Sequence, residues 1–195
     1  MYLGQEYKIA GDWFLIHFTE NNGMAFGMEL FGKKFLSIFR IIVMLGLGWY
    51  VNHLVKTKAN KIYITAMSLI FAGALGNIID SIFYGKVFSA SEFQVAQFMP
   101  ADGGYAGWLH GKVVDMFYFP LIEGHFPQWF PFWGGEDFLF FRPIFNIADS
   151  AITGGVILII LFQSVIFKDE KMEDESKTEG SPIHENSLPV TEKEE

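Results

Sequence analysis

Residues 144–167 read IFNIADSAITGGVILIILFQSVIF, with one acidic residue, Asp149, near the start and no basic residue. About 20 mostly apolar residues are enough to cross the hydrocarbon core of a bilayer as a helix. An ionisable residue at membrane depth is costly unless it is buried in protein or faces water, so Asp149 is a candidate functional residue. The run therefore predicts a membrane span with a site near one end.

Two more apolar runs precede this one, at about 35–55 and about 62–83. Buried helices of a soluble protein are the alternative interpretation. The chain is 51% apolar and 17% aromatic, however, and three such runs leave too little polar sequence to cover them. We therefore expect an all-α integral membrane protein. Small residues four positions apart, which allow close helix packing in lipid, recur in two of the runs: Ala72 with Gly76, Ser150 with Gly154, and Ala151 with Gly155.

The loop between the first two runs, residues 56–61, reads KTKANK. Loops rich in lysine stay in the cytoplasm, so the second run should exit outward, residues 84–143 should lie outside, and the third run should return. Residues 168–195 then form a cytoplasmic tail with ten acids, four lysines and no aromatic residue, a composition typical of disorder. This topology places Met1 outside, which predicts either translocation of a short N-terminal tail or a further helix upstream of Met1.

The sequence divides into three predicted parts. Residues 1–34 form an outer-face segment, in which residues 12–19 are mostly strand-forming and run into the turn residues Asn21-Asn22-Gly23. Residues 35–167 form the membrane domain. Its outer loop is rich in aromatic residues, which favour the interface between bilayer and water, so we expect short elements on the membrane surface there. The acidic tail is the third part.

Composition argues against several classes of protein. Of the net charge of −8, −6 belongs to residues 168–195, and nothing in the sequence resembles a basic surface for nucleic acid. The chain has no cysteine, which rules out disulfides and cysteine-ligated metals. Its five histidines do not show metal-ligand spacing, so we expect neither a metal nor another cofactor.

Polar residues concentrate in four clusters near the outer ends of the apolar runs. In the predicted topology all four clusters lie at one membrane depth, and residues three positions apart share a helical face. The sequence therefore predicts one shared site. The clusters are Asn21 with Gly23, Asn77 with Asp80, Asp115 alone, and Asn146 with Asp149.

Each cluster also has a structural interpretation. Asp80 could end a helix at the interface, and Asp115 could be an ordinary loop carboxylate. Asp149 could be favoured by the dipole of a helix N-terminus, although it lies a turn or more inside its run. Asn77 and Asn146 could form interhelical hydrogen bonds. That all of these structural interpretations hold at once is less plausible than that any one of them does.

Two carboxylates within hydrogen-bonding distance share a proton, because like charges that close do not both ionise cheaply. The ionised member can draw a proton from a water molecule, and the protonated member can donate to a substrate carbonyl. Such a pair titrates as a unit. Asp115 and Asp149 therefore supply the two carboxylates that aspartic-protease chemistry requires.

From about Leu3 to Phe167, these clusters resemble in order the sequence boxes of the bacterial lipoprotein signal peptidase (signal peptidase II) family. Residues 20–27, ENNGMAFG, resemble its Asn-x-Gly-x-Ala-Phe box, and residues 73–80, GALGNIID, resemble its Gly-Gly-Ala-x-Gly-Asn-x-x-Asp-Arg box. Residues 113–115, VVD, and 145–149, FNIAD, resemble the two boxes that carry the catalytic aspartates.

The resemblance implies a bundle of four transmembrane helices, three of them present here, with a small β cradle and interfacial elements on the outer face. It implies an aspartic endopeptidase of the inner membrane that cuts diacylglyceryl prolipoproteins before the lipidated cysteine, without metal or cofactor. The active site would face the periplasm, and its partners would be substrate and membrane lipid. We expect a monomer. The implied roles are catalytic for Asp115 and Asp149, and substrate-binding for Asn21, Gly23, Asn77, Asp80 and Asn146.

Three features depart from the family pattern. The family begins with a transmembrane helix bearing an Asp-Gln-x-x-Lys-like box, which we expect upstream of Met1. Ser81 stands where the family usually has an arginine that braces the site, and Arg142 and Lys112 are candidate substitutes. The outer loop is longer than usual, with insertions before Gly111 and between residues 119 and 143, which could form a lid or reshape substrate access.

Two other functions stay open from the sequence. A small transport or proton-relay subunit would use Asp80 and Asp149 to handle protons, and would place carboxylates near the bilayer midplane. A catalytically inactive family member would serve as a membrane binding module. The clustering at one face argues against the first alternative, and the presence of both Asp115 and Asp149 argues against the second.

Overall fold

The computed structural model describes residues 1–22, 32–140 and 143–179. Three stretches are long and apolar enough to cross a membrane, Lys33–Lys56, Lys61–Val87 and Ile147–Lys168. The predicted fold class, a helical membrane protein with a small β-sheet, is confirmed. The elements are helices α1 (Lys33–Lys56), α2 (Lys61–Ile79), α3 (Gly85–Val87) and α4 (Ile147–Glu179), and strands β1 (Glu6–Ala10), β2 (Phe14–Asn21), β3 (Val113–Tyr118), β4 (Ile122–His125), β5 (Asp137–Phe140) and β6 (Ile144–Phe145).

Helices α2 and α4 pack closely through glycine. A β-carbon at Gly73 would collide with the Ala148 carbonyl oxygen, and one at Gly155 would collide with the Ala66 carbonyl oxygen. Small residues let helix backbones approach in lipid, as the sequence pattern indicated. Gly154 differs, because a β-carbon there would meet no heavy atom within 4 Å. The close approach at Gly73 brings the outer end of α2 against the first turn of α4.

The basic loop between α1 and α2 turns the chain sharply. Asn60 caps α2, and its side-chain oxygen accepts a hydrogen bond from the Ile62 N–H at 2.9 Å. His53 and Lys56 lie in the last turn of α1, where positive charge is favoured by the helix dipole. This end of the bundle is opposite to the end that carries the polar clusters.

The second apolar run is interrupted near its outer end. After α2 the chain forms one π-helical turn, Asp80–Tyr84, before the short helix α3. The Ser81 hydroxyl donates to the Asn77 carbonyl oxygen at 2.9 Å, and its own carbonyl accepts the Gly111 N–H at 2.9 Å. Single π-helical turns are frequent at functional sites. Here Gly111, which belongs to the segment that leads into β3, hydrogen-bonds to the turn.

The main sheet has the strand order β1-β2-β3-β6, and all its pairs are antiparallel. Thr19 lies opposite Asp115, and Phe117 lies opposite Phe145. Strand β2 begins and ends two residues later than the predicted segment 12–19, and β1 pairs along its outer side. Because β6 leads directly into α4, the sheet fixes where that helix begins.

The outer segment also carries a separate hairpin of β4 and β5. The loop between these strands stacks aromatic rings, among them Phe126 on Phe130 at 5.0 Å between centroids. Phe93, Trp129 and Phe132 are 99%, 80% and 93% exposed. Exposed aromatic rings suit a membrane–water interface, so the predicted surface location stays a prediction that fits this arrangement.

Helix α4 extends beyond the apolar run. The sequence predicted disorder from residue 168 onward. In the structure residues 168–179 instead continue helix α4 to Glu179. This stretch has no glycine or proline and is rich in Glu and Lys, which favour helix, and adding residues to an existing helix is easier than starting one. Residues 180–195 lie outside the described part of the chain.

Candidate active site

Asp115 lies in the middle of β3 and is 4% exposed. One carboxylate oxygen accepts a hydrogen bond from the Asn146 side-chain amide at 2.8 Å. The side chain of Asn21, at the end of the neighbouring strand β2, also hydrogen-bonds to this carboxylate. The pairing of β2 with β3 thus places Asp115 among polar side chains. Asp115 is therefore not an ordinary loop carboxylate.

Asp149 lies in the first turn of α4, where it forms a reciprocal cap with Asn146. The Asp149 N–H donates to the Asn146 side-chain oxygen at 2.9 Å, and the Asn146 N–H donates to an Asp149 carboxylate oxygen at 3.3 Å. This is the arrangement of a capping box. Asp149 is nearer the helix start than the sequence indicated, because the first residues of the apolar run form strand β6. The Asp149 carboxylate therefore lies at the positive end of the α4 dipole.

Two asparagine side chains connect the two carboxylates. Asn77 donates from its amide nitrogen to Asp149 at 2.8 Å, and its oxygen lies 3.0 Å from the Asn146 amide nitrogen. The same nitrogen of Asn146 contacts Asp115 and the Val114 carbonyl oxygen, the latter at 3.2 Å. A continuous chain of hydrogen bonds therefore runs from the strand carboxylate to the helix carboxylate.

Asp80 lies beside this chain and holds the strand. Its carboxylate accepts the Val114 backbone N–H at 3.2 Å, at the start of the π-helical turn. Because Val114 precedes Asp115, this bond fixes the height of Asp115 relative to α2. Asp80 therefore does more than end a helix at an interface.

Burial and nearby charge make Asp115 a weak acid. Burial raises the pKa of its carboxyl group to about 6, and the negative charges of Asp149 and, less strongly, Asp80 act in the same direction. Hydrogen bonds from Asn21 and Asn146 oppose this rise because they stabilise the ionised form. A carboxyl group with this pKa can hold a proton near neutral pH, as a general acid must.

The two carboxylates face a cavity of about 460 Å³ between α1, α2, α4 and the sheet. Its polar lining consists of Asn21, Asn77, Asp115, Asp149 and Arg40. The remaining lining is apolar and comes mostly from the helices: Phe39, Val43, Met44, Leu47, Ala74, Ile78, Val113 and Ile152. A largely apolar cavity with a few convergent polar groups is typical of a binding site.

A second cavity, of about 600 Å³, lies against the same asparagines from the side of Asp80. Asn77 and Asn146 line it together with Tyr84, Phe117 and the small residues at the α2–α4 contact. The polar chain thus has an apolar cavity on each side. A bound segment in either cavity would lie next to the polar residues.

Six of the seven predicted site residues come together in this way: Asn21, Asn77, Asp80, Asp115, Asn146 and Asp149. Gly23 lies outside the described residues, as does Arg142, one of the two candidates for the missing arginine. The other candidate, Lys112, forms an ion pair with Glu20.

Lys112 forms an ion pair with Glu20 at 2.9 Å and lies 3.8 Å from Glu92. The Glu20 carboxylate, whose side chain is 3% exposed, also accepts a hydrogen bond from Ser91 at 2.7 Å. A buried carboxylate requires such partners. Lys112 therefore ties β2 to the outer loop and does not brace the aspartates, contrary to expectation.

Sequence reasoning missed Arg40. This residue is half-buried in α1, lines the first cavity and interacts electrostatically with Asp149. A signal was present, because Arg40 is the only lysine or arginine between Lys34 and Lys56 in an otherwise apolar run. Within residues 1–22, 32–140 and 143–179, no group of three or more histidine, aspartate or glutamate side chains is placed to hold a metal ion.

Known proteins share this sequence and fold. A model of the signal peptidase (SPase) II family matches residues 1–165. A lipoprotein signal peptidase of Porphyromonas gingivalis is 52% identical over 186 aligned positions, covering 93% of this chain and 82% of the relative. One of Amoebophilus asiaticus is 37% identical over 199 aligned positions, covering 97% and 80%.

Two solved structures of bacterial membrane enzymes also resemble the chain. The first superposes with a TM-score of 0.51 at 25% identity, covering 94% of this chain and 80% of the other. The second superposes with a TM-score of 0.50 at 30% identity, covering 83% and 76%.

Proposed function

This chain belongs to the signal peptidase II family, and we propose that it is an aspartic endopeptidase that removes signal peptides from diacylglyceryl prolipoproteins. The cut falls immediately before the lipidated cysteine. One observation carries the proposal: Asp115 and Asp149 come from separate elements, are joined by Asn146 and Asn77, and face one cavity. The substrate class follows from the relatives, which are lipoprotein signal peptidases.

The chemistry divides between the two carboxylates. Asp149, at the helix N-terminus with Asn77 and Arg40 beside it, is the ionised member that takes a proton from the attacking water. Asp115 is the protonated member and donates to the carbonyl oxygen of the scissile peptide. Water adds to the carbonyl carbon to give a tetrahedral diol. The C–N bond then breaks as the leaving nitrogen receives a proton from the pair.

The asparagines and Asp80 position this pair. Asn146 contacts both aspartates, so it sets their separation, and Asn77 orients the carboxylate of Asp149. Asp80 anchors the strand next to Asp115 through the Val114 N–H. On the family pattern Gly23 and Asn21 bind substrate, and Asn21 lines the first cavity.

The cavity lining suits a lipid-modified apolar substrate. Phe39, Val43, Met44 and Leu47 form an apolar wall on α1 that continues from the polar end toward the middle of the helix. Apolar surface of this kind binds the hydrophobic part of a signal peptide or an acyl chain. The protein works as a monomer in the bacterial inner membrane, with the site on the periplasmic side and the C-terminal tail in the cytoplasm.

We divide the chain into an outer-face segment (1–34), a peptidase domain (35–167) and a tail (168–195). A proton-relay subunit is less well supported, because Asp80 follows the last residue of α2 and Asp149 lies in the first turn of α4. Both carboxylates therefore lie toward the outer ends of their spans, Lys61–Val87 and Ile147–Lys168, whereas a relay through the bilayer needs them along the whole path.

A gel-shift assay with a diacylglyceryl prolipoprotein in liposomes tests the proposal. We expect cleavage by the parent chain and by Asp102→Asn, an exposed control of the same chemistry, and none by Asp115→Asn or Asp149→Asn. Mass spectrometry of the product should place the cut before the lipidated cysteine. Turnover by both dyad variants at the parental rate would refute the aspartic assignment.

A further inference from the structure

Three carboxylates share the candidate site, and their mutual repulsion calls for a positive charge. Asp115, Asp149 and Asp80 lie near enough for Asp115 to feel both of the others. Like charges in a half-buried site disfavour one another's ionisation. Lys112 does not serve this purpose, because Glu20 holds it.

Arg40 lines the same cavity from α1. Its side chain lines the cavity with Asp115 and Asp149, and its guanidinium attracts the carboxylate of Asp149. Among the described residues that line this cavity it is the only cationic one. Its lining neighbours on α1, Phe39 and Val43, are apolar, so its position at membrane depth requires a polar partner or a role in the site.

We propose that Arg40 is a positioning residue for the aspartate pair, supplying from α1 the positive charge that keeps Asp149 as the ionised member. This inference rests on the proposed function and adds a residue to it. A guanidinium group stays charged throughout the pH range in which carboxylates titrate. The charge therefore makes the pair asymmetric, with the proton on Asp115 and the negative charge on Asp149.

The described groups around the aspartate pair that can carry charge come from three elements. Arg40 comes from α1, Asp80 and Tyr84 from the π-helical turn after α2, and Asp115 from β3. Only Arg40 contributes a positive charge among them. Removing that charge should leave the other groups in place and the aspartate pair without its cation.

The first test is the pH profile of kcat/KM for lipoprotein cleavage. Because the aspartate pair then lacks a nearby positive charge that favours its ionised form, Arg40→Gln should move the acid limb of the profile upward. Arg40→Lys should leave the limb in place, because it keeps the charge. Lys34→Gln, an exposed charge loss on the same helix, is the matched control and should change nothing. A uniform loss of activity in Arg40→Gln, with the acid limb unmoved, would overturn the proposal.

The second test does not depend on activity. Thermal unfolding in detergent is compared for the parent, Arg40→Gln, Asp149→Asn and the double variant. Because the two charges attract, Arg40→Gln should lower Tm in the parent background and lower it less, or not at all, in the Asp149→Asn background. Equal shifts in both backgrounds would overturn the proposal.

This second test also separates two kinds of failure. If the parent chain cleaves no lipoprotein, the proposed function fails, but the coupling between Arg40 and Asp149 is still measured. Arg40→Met, which keeps an apolar stem, replaces the glutamine variant if that variant does not accumulate in membranes, and the same Tm comparison applies to it.

Discussion

Asn146 and Asp149 cap each other at the start of α4, each accepting the backbone N–H of the other, at 2.9 Å and 3.3 Å. The same Asn146 side chain donates to Asp115 at 2.8 Å. Helix initiation and the geometry of the aspartate pair therefore depend on one residue. A change at Asn146 should affect both stability and chemistry.

We expect Asn146→Ala to lower stability by about 1 kcal/mol through loss of the cap, and to reduce cleavage at least about 100-fold. Asn60→Ala is the matched control, because Asn60 caps α2 at the opposite end of the bundle. It should lower Tm by a similar amount and leave kcat/KM near the parental value. Thermal unfolding and the gel-shift assay measure the two effects. Equal activity in the two variants would show that Asn146 acts only as a cap.

We expect Asp115→Asn to stabilise the protein at neutral pH while abolishing cleavage. The pKa of Asp115 is about 6 in the folded chain and lower when unfolded, so the folded state binds the proton more tightly. Stability associated with this group is thus highest below the unfolded pKa near 4, and falls as pH rises to about 6. The asparagine variant lacks this penalty, which is about 1–3 kcal/mol. Its Tm advantage should be present at pH 7.5 and disappear near pH 4.

If Asp115→Asn instead unfolded more easily than the parent at pH 7.5, Asp115 would be stabilising as a carboxylate. The assignment of the proton to Asp115 would then be wrong. Asp102→Asn, at an exposed position, is the control for the same change of side chain elsewhere in the chain.

The rate of cleavage should depend on pH through the same proton. In the proposed mechanism the pair needs one proton and Asp115 holds it, so kcat/KM should decline as pH rises above about 6. The midpoint of this decline is a property of the two coupled carboxyl groups together. Initial rates on a lipidated substrate in liposomes between pH 4 and 9 measure it. A rate that stays level from pH 6 to 9 would exclude Asp115 as the acid.

Asp80→Ala should weaken activity about tenfold and destabilise the fold by about 1–2 kcal/mol, because the Val114 N–H loses its acceptor in a half-buried setting. Asp80→Asn keeps an oxygen acceptor and should stay closer to the parent in both measurements. The comparison of the two variants separates the hydrogen bond from the charge. If the alanine variant has parental activity and Tm, Asp80 only ends the helix.

Much of the architecture could be predicted from local sequence. The three apolar runs identified the helices, because spanning length depends on composition alone. The family resemblance, read from four short boxes, is confirmed by the match over residues 1–165. The roles of the individual site residues stay predictions, although the structure gathers six of them.

Features that depend on partners distant in sequence could not be predicted. Phe145 belongs to an apolar run, yet it pairs with Phe117 and so extends the sheet. From the sequence, Lys112 was a candidate partner for the aspartates. In the structure it forms an ion pair with the buried Glu20, which lies 92 positions earlier in the chain. The π-helical turn at Asp80 likewise depends on the Gly111 contact. In each case tertiary structure overrides the local signal.

The sheet that carries Asp115 has consequences for the order of biosynthesis. Its strands come from residues 6–10, 14–21, 113–118 and 144–145, so Asp115 and Asp149 meet only after residue 149 has been made. During translation the nascent protein therefore holds one aspartate without the other. Any activity that requires the pair therefore begins only after the start of α4 has joined the sheet.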